Sequence, residues 1–307
     1  DTDLKFTYDT YAPVLLKDID NDGKDDIFTA FSGVSIDKCI GNIVAVKGSG
    51  EKIMFMGNDT ISDHSNIQSF MRGAIAIDDL NDDGIYQMVC ATNDTKGSPS
   101  PINIYNFEDG IFKTDTSIFC AGAGHYAPYG AIITNLRAND KNKSIIIRTS
   151  PYAKDTLKSK IYIYNKNLNF VQNLTDSVMT ESSEKISIEL NSFGRIAIAD
   201  VDNDCKKEIF AASCKEKDTS YIHKGIYMWS MEENRKYYGK RIYTNDSVQF
   251  CSDIVIGDID GDFQKEIIFY LKKLMIIINI HVSKQTVLLQ VLVVLEGVVH
   301  TGNFIYG

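Results

Sequence analysis

The chain has 307 residues, of which 44% are hydrophobic and 24% charged, and its formal net charge is −9 with a pI near 5.1. The apolar fraction is ample for a buried core, and an acidic chain without a basic stripe is not expected to bind nucleic acid. The six cysteines show neither metal-ligand spacing nor the density of a disulfide framework, which excludes a zinc module and a small disulfide-stapled domain.

An acidic loop appears early in the chain and then recurs. The first copy begins at Asp18 and reads Asp-Ile-Asp-Asn-Asp-Gly-Lys-Asp-Asp, with acids at loop positions 1, 3, 5 and 9 and glycine at position 6. Further copies begin at Asp79, Asp200 and Asp258. A row of oxygen ligands on a tight loop suits Ca²⁺, which takes six to eight oxygens and tolerates irregular geometry.

A faded copy of the loop begins at Asn135. It keeps the apolar flanks but has Arg137 and Lys143 at ligand positions, so we interpret it as a repeat whose metal site has decayed. Successive copies are separated by about 60 residues, a period that indicates an array of supersecondary units.

Short β-branched runs of strand length flank the loops. The first strand of each unit is expected just before the loop, at 14–16, 74–77, 131–133, 196–199 and 254–256. The second follows the loop, as at 145–147 and 208–212. A third strand is expected at 42–46, 102–106, 160–164 and 225–229, and a fourth at 52–55, 116–119 and 240–243.

Four antiparallel strands per unit, repeated, predict an all-β fold, namely a β-propeller of four-stranded antiparallel blades. We expect about five blades in a single domain over 1–307, with repeats starting near 18, 79, 135, 200 and 258, or else a piece of a seven-bladed ring. An EF-hand is excluded, because its loop needs Glu at position 12 and helices on both sides. Position 12 is Thr29, Cys90, Ala211 or Phe269 in the four acidic loops.

The tail 271–307 differs in composition from the rest of the chain. Its only acid is Glu296, and 287–295 is almost wholly apolar. That run is too short for a membrane span. The tail either supplies the remaining strands of the last blade or is not the native continuation of the repeats, and the sequence leaves both alternatives open.

An aromatic residue and a glycine precede several of the loops, most clearly as Phe193-Gly194 before Asp200, and more loosely as Phe70 with Gly73 and as Tyr129-Gly130. With these features, residues 11–270 resemble the FG-GAP (or VCBS) repeats of integrin-α-type β-propellers. The resemblance implies a propeller fold with Ca²⁺ in the loops. It says little about function, because this fold serves adhesion receptors, lyases and lectins alike.

By that resemblance, Ca²⁺ is bound by the side chains at positions 1, 3, 5 and 9 and by the backbone carbonyl of position 7. The predicted metal-site residues are Asp18, Asp20, Asp22, Lys24, Asp26, Asp79, Asn81, Asp83, Ile85, Gln87, Asp200, Asp202, Asp204, Lys206, Glu208, Asp258, Asp260, Asp262, Gln264 and Glu266. Gln87 replaces an acid and is expected to weaken the second site. Cys205 and Phe263 replace the glycine at position 6 and are expected to strain or alter their loops.

Residues suited to catalysis are few. The glycine-rich stretch 121–130 contains His125 and Tyr126, a pair that suits base and acid in polysaccharide lysis, although a connector between blades is the simpler interpretation. Trp229 lies on an alternating strand and is expected in the core rather than as a sugar platform. Cys205 and Cys214 either close a hairpin disulfide or remain separate thiols.

By the same resemblance, the connectors between the second and third strands and between blades lie on the face opposite the metal loops. Recognition is expected there, because long polar loops on a rigid scaffold commonly carry it. These connectors are expected at 32–40, 57–70, 92–101, 120–129, 150–158, 180–192 and 214–224, with His125, Tyr126 and Tyr221 as candidate ligand-binding residues. We therefore expect a secreted or cell-surface, non-catalytic Ca²⁺-binding module for a glycan or an extracellular protein. The alternative is a polysaccharide lyase of the rhamnogalacturonan type, or an ancillary domain of a secreted carbohydrate-active enzyme.

Overall fold

In its described residues, the computed structural model of the chain is all-β, as the sequence predicted, apart from one 3-10 turn at Leu174–Asp176. Within the described part of the chain, 24 strands form five sheets of four to six strands. The structure describes residues 7–9, 14–34, 39–56, 75–91, 101–119, 126–151, 160–176, 178–179, 185–186, 188, 196–213, 225–243, 254–271, 274–283, 286–295 and 298–306.

The sheets follow one another along the chain. The first contains β1 (Thr7–Asp9), β2 (Leu15–Lys17), β3 (Asp26–Val34) and β4 (Cys39–Val46). The second contains β5 (Met54–Met56), β6 (Ile75–Asp78), β7 (Gln87–Ala91), β8 (Pro101–Glu108) and β9 (Ile111–Phe119). The third contains β10 (Tyr126–Thr134), β11 (Ser144–Pro151), β12 (Ile161–Tyr164) and β13 (Phe170–Asn173).

The fourth and fifth sheets complete the array of described strands. The fourth contains β14 (Val178–Met179), β15 (Lys185–Ile186), β16 (Ala197–Ala199), β17 (Glu208–Ser213), β18 (Gly225–Met231) and β19 (Tyr237–Tyr243). The fifth contains β20 (Val255–Gly257), β21 (Glu266–Leu271), β22 (Leu274–Ser283), β23 (Thr286–Leu295) and β24 (Val298–Tyr306). In every sheet, an acidic loop or its faded copy joins two antiparallel strands, which confirms the predicted place of the loops.

The fourth strand predicted for the first unit does not pair as expected. The chain does turn back after β4, because the Ile53 N–H donates to the Ala45 carbonyl at 2.9 Å. β5 then leaves and pairs in parallel with β9 of the second sheet. β14 likewise pairs in parallel with β19, so in both places a strand that precedes a sheet joins its outer edge.

Two predicted connectors are shorter than the sequence suggested. The connector at 32–40 is reduced because β3 reaches Val34 and β4 starts at Cys39, and that at 120–129 ends where β10 starts at Tyr126. β10 keeps its pairing with β11 through an irregularity between Pro128 and Gly130, where proline has no N–H to donate. The connectors at 57–70, 180–192 and 214–224 lie almost wholly outside the described residues.

The tail supplies strands to the fifth sheet, as one of the two alternatives proposed. β22, β23 and β24 form an antiparallel meander that continues from β21 through the Leu271–Leu274 pair. The next two hairpins are also tight, because Ser283 pairs with Thr286 and Leu295 pairs with Val298 next to their turns.

The chain divides into two compact units, one of residues 1–135, 140–157 and 161–171, the other of residues 136–139, 158–160 and 172–307. In the first unit, one core joins the first and second sheets and another joins the second and third. In the second unit, a core joins the fourth and fifth sheets. That the whole chain forms one domain stays a prediction.

Trp229 lies in the core, as the sequence predicted, and two cysteines are free thiols. Trp229 is fully buried, and its Nε1–H donates to the Leu174 carbonyl at 2.9 Å, so it belongs to the core. Cys90 is a buried free thiol, and Cys205 is an exposed free thiol without a disulfide.

Candidate metal centres

Two residues with a positive φ shape each acidic loop. At position 4 they are Asn21, Asp82, Asn203 and Gly261, with φ of 57°, 56°, 58° and 81°. At position 6 they are Gly23, Gly84, Cys205 and Phe263, with φ of 85°, 85°, 68° and 69°. This left-handed conformation favours Gly, Asn and Asp, so Cys205 and Phe263 are strained, as the sequence predicted.

A common set of hydrogen bonds fixes the acids at positions 1 and 5. The N–H of position 6 donates to Oδ2 of position 1 at 2.9, 2.7, 3.0 and 2.9 Å in the loops that start at 18, 79, 200 and 258. The N–H of position 7 donates to Oδ1 of position 5 at 2.9, 2.8, 2.8 and 2.8 Å. Carboxylate oxygens accept more than one bond, so the acids remain able to meet a cation. Ligation by the carbonyls of Lys24, Ile85, Lys206 and Gln264 stays a prediction.

Position 9 closes each loop by accepting a hydrogen bond from the N–H of position 2. The acceptors are Asp26, Gln87, Glu208 and Glu266, at 3.0, 2.8, 3.0 and 2.8 Å, and all four side chains are buried. Because Gln87 makes the same bond as the acids, this structural role needs an oxygen but no charge. Sequence reasoning missed the role, although an oxygen-bearing side chain at every position 9 was its signal.

Asp26 differs from the longer glutamates at its position. One of its oxygens accepts from the Ile19 N–H and the other accepts from the Gly48 N–H at 2.9 Å. Both oxygens are therefore engaged with the backbone. Its role as a cation ligand stays a prediction.

Three of the loops bring three carboxylates together. In each group, one oxygen of every acid lies within 4.8 Å of the others. The groups are Asp18, Asp20 and Asp22; Asp200, Asp202 and Glu208; and Asp258, Asp260 and Asp262.

Two of these groups contain a buried carboxylate oxygen without a hydrogen-bond partner. Oδ1 of Asp20 and Oδ1 of Asp200 are inaccessible to solvent and make no hydrogen bond. A buried acceptor without a partner costs free energy, and that cost disappears if a cation binds it. Carboxylate oxygens are the ligands that Ca²⁺ prefers, so the residues present fit this ion.

The electrostatics of the third acidic loop point the same way. Burial, together with the charges of Asp200, Asp202 and Asp204, raises the pKa of Glu208 to about 8 despite the bond from Val201. Burial and the neighbouring Asp204 also raise the pKa of Asp202. A divalent cation bound among these acids would favour their ionised forms and lower both pKa values.

Lysines pair with one acid in each of two loops. Lys47 Nζ lies 3.1 Å from Oδ2 of Asp20, and the hydrogen bond between them raises the pKa of Lys47. Lys206 Nζ lies 2.6 Å from Oδ2 of Asp204, so this predicted ligand is paired with its own neighbour. Glu208, rather than Asp204, completes the carboxylate group of that loop.

The loop at Asp79 has a weaker set of ligands, as Gln87 led us to expect. Only two of its predicted side-chain ligands are acids, and one of these, Asp83, accepts a hydrogen bond from Asn81 Nδ2 at 2.7 Å. Asn81 Oδ1 is buried without a hydrogen bond. Four backbone bonds outweigh burial and lower the pKa of Asp79, so its carboxylate needs no cation to ionise.

Lys143 of the faded repeat reaches the loop at Asp79. Its Nζ lies 3.0 Å from Asp78 and 3.6 Å from Asp82, and its backbone N–H donates to the Leu80 carbonyl at 2.9 Å. Burial lowers the pKa of Lys143, but the hydrogen bond to Asp78 and the nearby carboxylates outweigh it and raise the pKa. The sequence showed only a lost ligand at this position, whereas the structure shows an ammonium group beside the neighbouring loop.

The faded loop has lost the backbone of a cation site as well as its acids. Neither Ala138 nor Asp140, its residues at positions 4 and 6, has a positive φ. Arg137 points its guanidinium to Met231, with Nε 2.9 Å from Sδ, and to the Glu232 carbonyl. These features agree with the interpretation of a decayed site.

The structure describes only one of the three candidate ligand-binding residues. His125 and Tyr221 lie outside the described residues, and Tyr126 is known only as the first residue of β10.

Across the described ranges, no helix has the length and apolar character that a membrane crossing needs.

Comparisons with known proteins give no family. No family model and no curated protein matches the chain. Among solved structures, the crystal structure of rhamnogalacturonan lyase YesW is 16% identical with a TM-score of 0.48, over 88% of this chain and 56% of that one. The crystal structure of exotype rhamnogalacturonan lyase YesX is 13% identical with a TM-score of 0.46, over 98% of this chain and 66% of that one. The chain thus spans less than two thirds of either length, and similarity at this level assigns no activity.

Proposed function

We propose that this chain is a Ca²⁺-binding repeat domain of the β-propeller type, in which the loops at Asp18, Asp200 and Asp258 each hold one cation. The observation that supports it best is the three-carboxylate group, which recurs in three repeats within loops that share the same hydrogen bonds. Recurrence in three separate repeats distinguishes these groups from a single acidic turn on the surface.

The cations stabilise the fold in this proposal. Each loop joins two strands of a sheet, and a bound cation offsets the repulsion among the carboxylates that the loop gathers. A site adds RT ln(1 + [L]/Kd), which is about 2.7 kcal/mol when Ca²⁺ is at roughly 100 times Kd. Sites of modest affinity are filled at extracellular calcium levels, so the proposal goes with a secreted or cell-surface protein.

For the biological role, we propose a non-catalytic module that binds a glycan or an extracellular protein. The support is that, with cations bound as proposed, the clustered acids of the loops would not be available as general acids. A polysaccharide lyase, as the names of the two similar structures suggest, is the alternative. Incubation with rhamnogalacturonan while ultraviolet absorbance follows unsaturated products separates the two, because turnover would refute the non-catalytic role.

Calcium titration calorimetry on metal-free protein tests the proposed cation sites. Wild type is expected to bind at three or more sites, and Asp20→Asn, Asp202→Asn and Asp260→Asn are each expected to remove one. Asp115→Asn, an exposed acid on β9, is the matched control and should leave binding unchanged. No heat of binding at millimolar Ca²⁺, or equal loss in the control, would count against the proposal.

A further inference from the structure

The sheets stack through two different faces. We call one of them the leading face. It carries the residue that lies four positions before the loop start, which is Val14 in the first sheet, and the residue at loop position 10, which is Ile27 there. The trailing face carries loop positions 2 and 11, which are Ile19 and Phe28 there. Ile75 and Met88 of the second sheet's leading face share one core with Ile19 and Phe28.

The same stacking occurs twice more. Leu80 and Val89 of the second sheet share a core with Ala131 of the third. In the second unit, Val201 and Phe210 of the fourth sheet share a core with Ile254 and Ile267 of the fifth. In all three cores, the leading face of one sheet therefore covers the trailing face of the sheet before it.

In the first sheet, the described residues of the leading face are exposed instead of buried. Val14 is 60% exposed and Ile27 is 44% exposed. Their equivalents in the later sheets are 8% exposed or less, namely Ile75, Ala131, Ile196 and Ile254 for Val14, and Met88, Ile209 and Ile267 for Ile27. Leu16, which pairs with Ile27, is 59% exposed and extends this apolar face.

The trailing face of the fifth sheet is bare in the complementary way. Ile259, at loop position 2, is 52% exposed, and Val255 on the same face is 56% exposed. The four other residues at loop position 2 are 3–5% exposed, namely Ile19, Leu80, Leu136 and Val201. Each of these two faces thus carries apolar residues of the kind that the three internal contacts bury, and its described residues are exposed.

We propose that these two faces dock onto each other between copies of this chain, so that the leading face of the first sheet in one copy covers the trailing face of the fifth sheet in the next. The three internal cores show that apolar residues of a trailing face cover a leading face. The two exposed faces of the chain carry the residues for a fourth contact of the same kind. The described residues of both faces are exposed, and a second copy of this chain offers the matching apolar face to each of them. Because the two faces differ, the contact is heterologous and produces rings or open chains rather than a symmetric dimer.

Sedimentation velocity on the full chain tests this assembly. Wild type is expected to form species larger than a monomer as its concentration rises toward about 100 µM, where a micromolar contact is nearly saturated. The double variants L16Q/I27Q and V255Q/I259Q each remove one face without changing charge, and each alone is expected to be monomeric. The control V171Q changes another exposed apolar residue, on β13 of the third sheet and on neither face, and is expected to assemble like wild type.

Mixing the two double variants gives the sharpest result. Each retains the face that the other lacks, so the mixture is expected to form a heterodimer and nothing larger. A monomeric wild type overturns the proposal and leaves these faces to a repeat of another polypeptide or to closure within one chain. A mixture that stays monomeric, although wild type assembles, overturns the heterologous contact.

Discussion

The substitution Glu208→Gln isolates the part that one negative charge plays in a cation site. Gln87 shows that a glutamine at position 9 still accepts the position 2 N–H, at 2.8 Å compared with 3.0 Å for Glu208. The variant therefore keeps the loop closed and keeps the volume of the buried side chain. It removes only a carboxylate that lies within 4.8 Å of those of Asp200 and Asp202.

The expected loss follows from Coulomb's law. A single charge at about 4 Å from a divalent cation contributes about 2 kcal/mol even when water screens it fully, which corresponds to roughly a 30-fold change in Kd. Calorimetry in a background with Asp20→Asn and Asp260→Asn measures the loop at Asp200 without the other two acidic triads. At a pH above the Glu208 pKa of about 8, where this side chain is already ionised before the cation binds, the Ca²⁺ affinity is expected to fall by about that factor, whereas Glu233→Gln, an exposed glutamate outside the loops, should change nothing.

The reciprocal substitution Gln87→Glu adds a carboxylate to the loop at Asp79 and is expected to raise its Ca²⁺ affinity. The reasoning is refuted if Glu208→Gln binds Ca²⁺ like wild type, because Glu208 would then close the loop without meeting a cation. It is equally refuted if Glu208→Gln unfolds the metal-free protein, since the hydrogen bond would then depend on charge.

Three further substitutions test the loops and the core. Phe263→Gly relieves a φ of 69° on a side chain that is 88% exposed, and urea unfolding should show a gain of about 0.5–1 kcal/mol; a loss would contradict the strain. Lys143→Met removes the ammonium beside Asp78 and Asp82 and should tighten Ca²⁺ binding at that loop by roughly fivefold, whereas exposed Lys141→Met should not. Gly239→Ala places a Cβ 2.3 Å from Nε1 of Trp229 and should cost about 3 kcal/mol; a cost below about 1 kcal/mol would contradict the packing.

The repeat, the loops and the first strands of each unit were predictable because their signals are local. A β-branched run before Asp18 or Asp200 and a fixed order of acids after it determine a hairpin without reference to distant residues. The glycine preference at position 6 also predicted the strain at Cys205 and Phe263, since φ there depends on the loop alone.

Pairing between distant segments was not predictable in the same way. The run that forms β5 has the pattern of any edge strand, and nothing local says that its partner is β9 rather than β4. The contacts of Lys143 with Asp78 and of Gly48 with Asp26 likewise depend on how loops meet. From the sequence, Lys143 was only a lost ligand and Asp26 only a ligand, whereas the structure shows an ion pair at Lys143 and a hydrogen bond from the Gly48 backbone at Asp26.

A crystal structure determined in the presence of Ca²⁺, with anomalous scattering recorded, tests the central claim most directly. We expect anomalous peaks among the carboxylates of Asp18, Asp20 and Asp22, of Asp200, Asp202 and Glu208, and of Asp258, Asp260 and Asp262, and none in the loop at Asn135. Well-ordered loops without any anomalous peak at millimolar Ca²⁺ would contradict the claim that these repeats are cation sites.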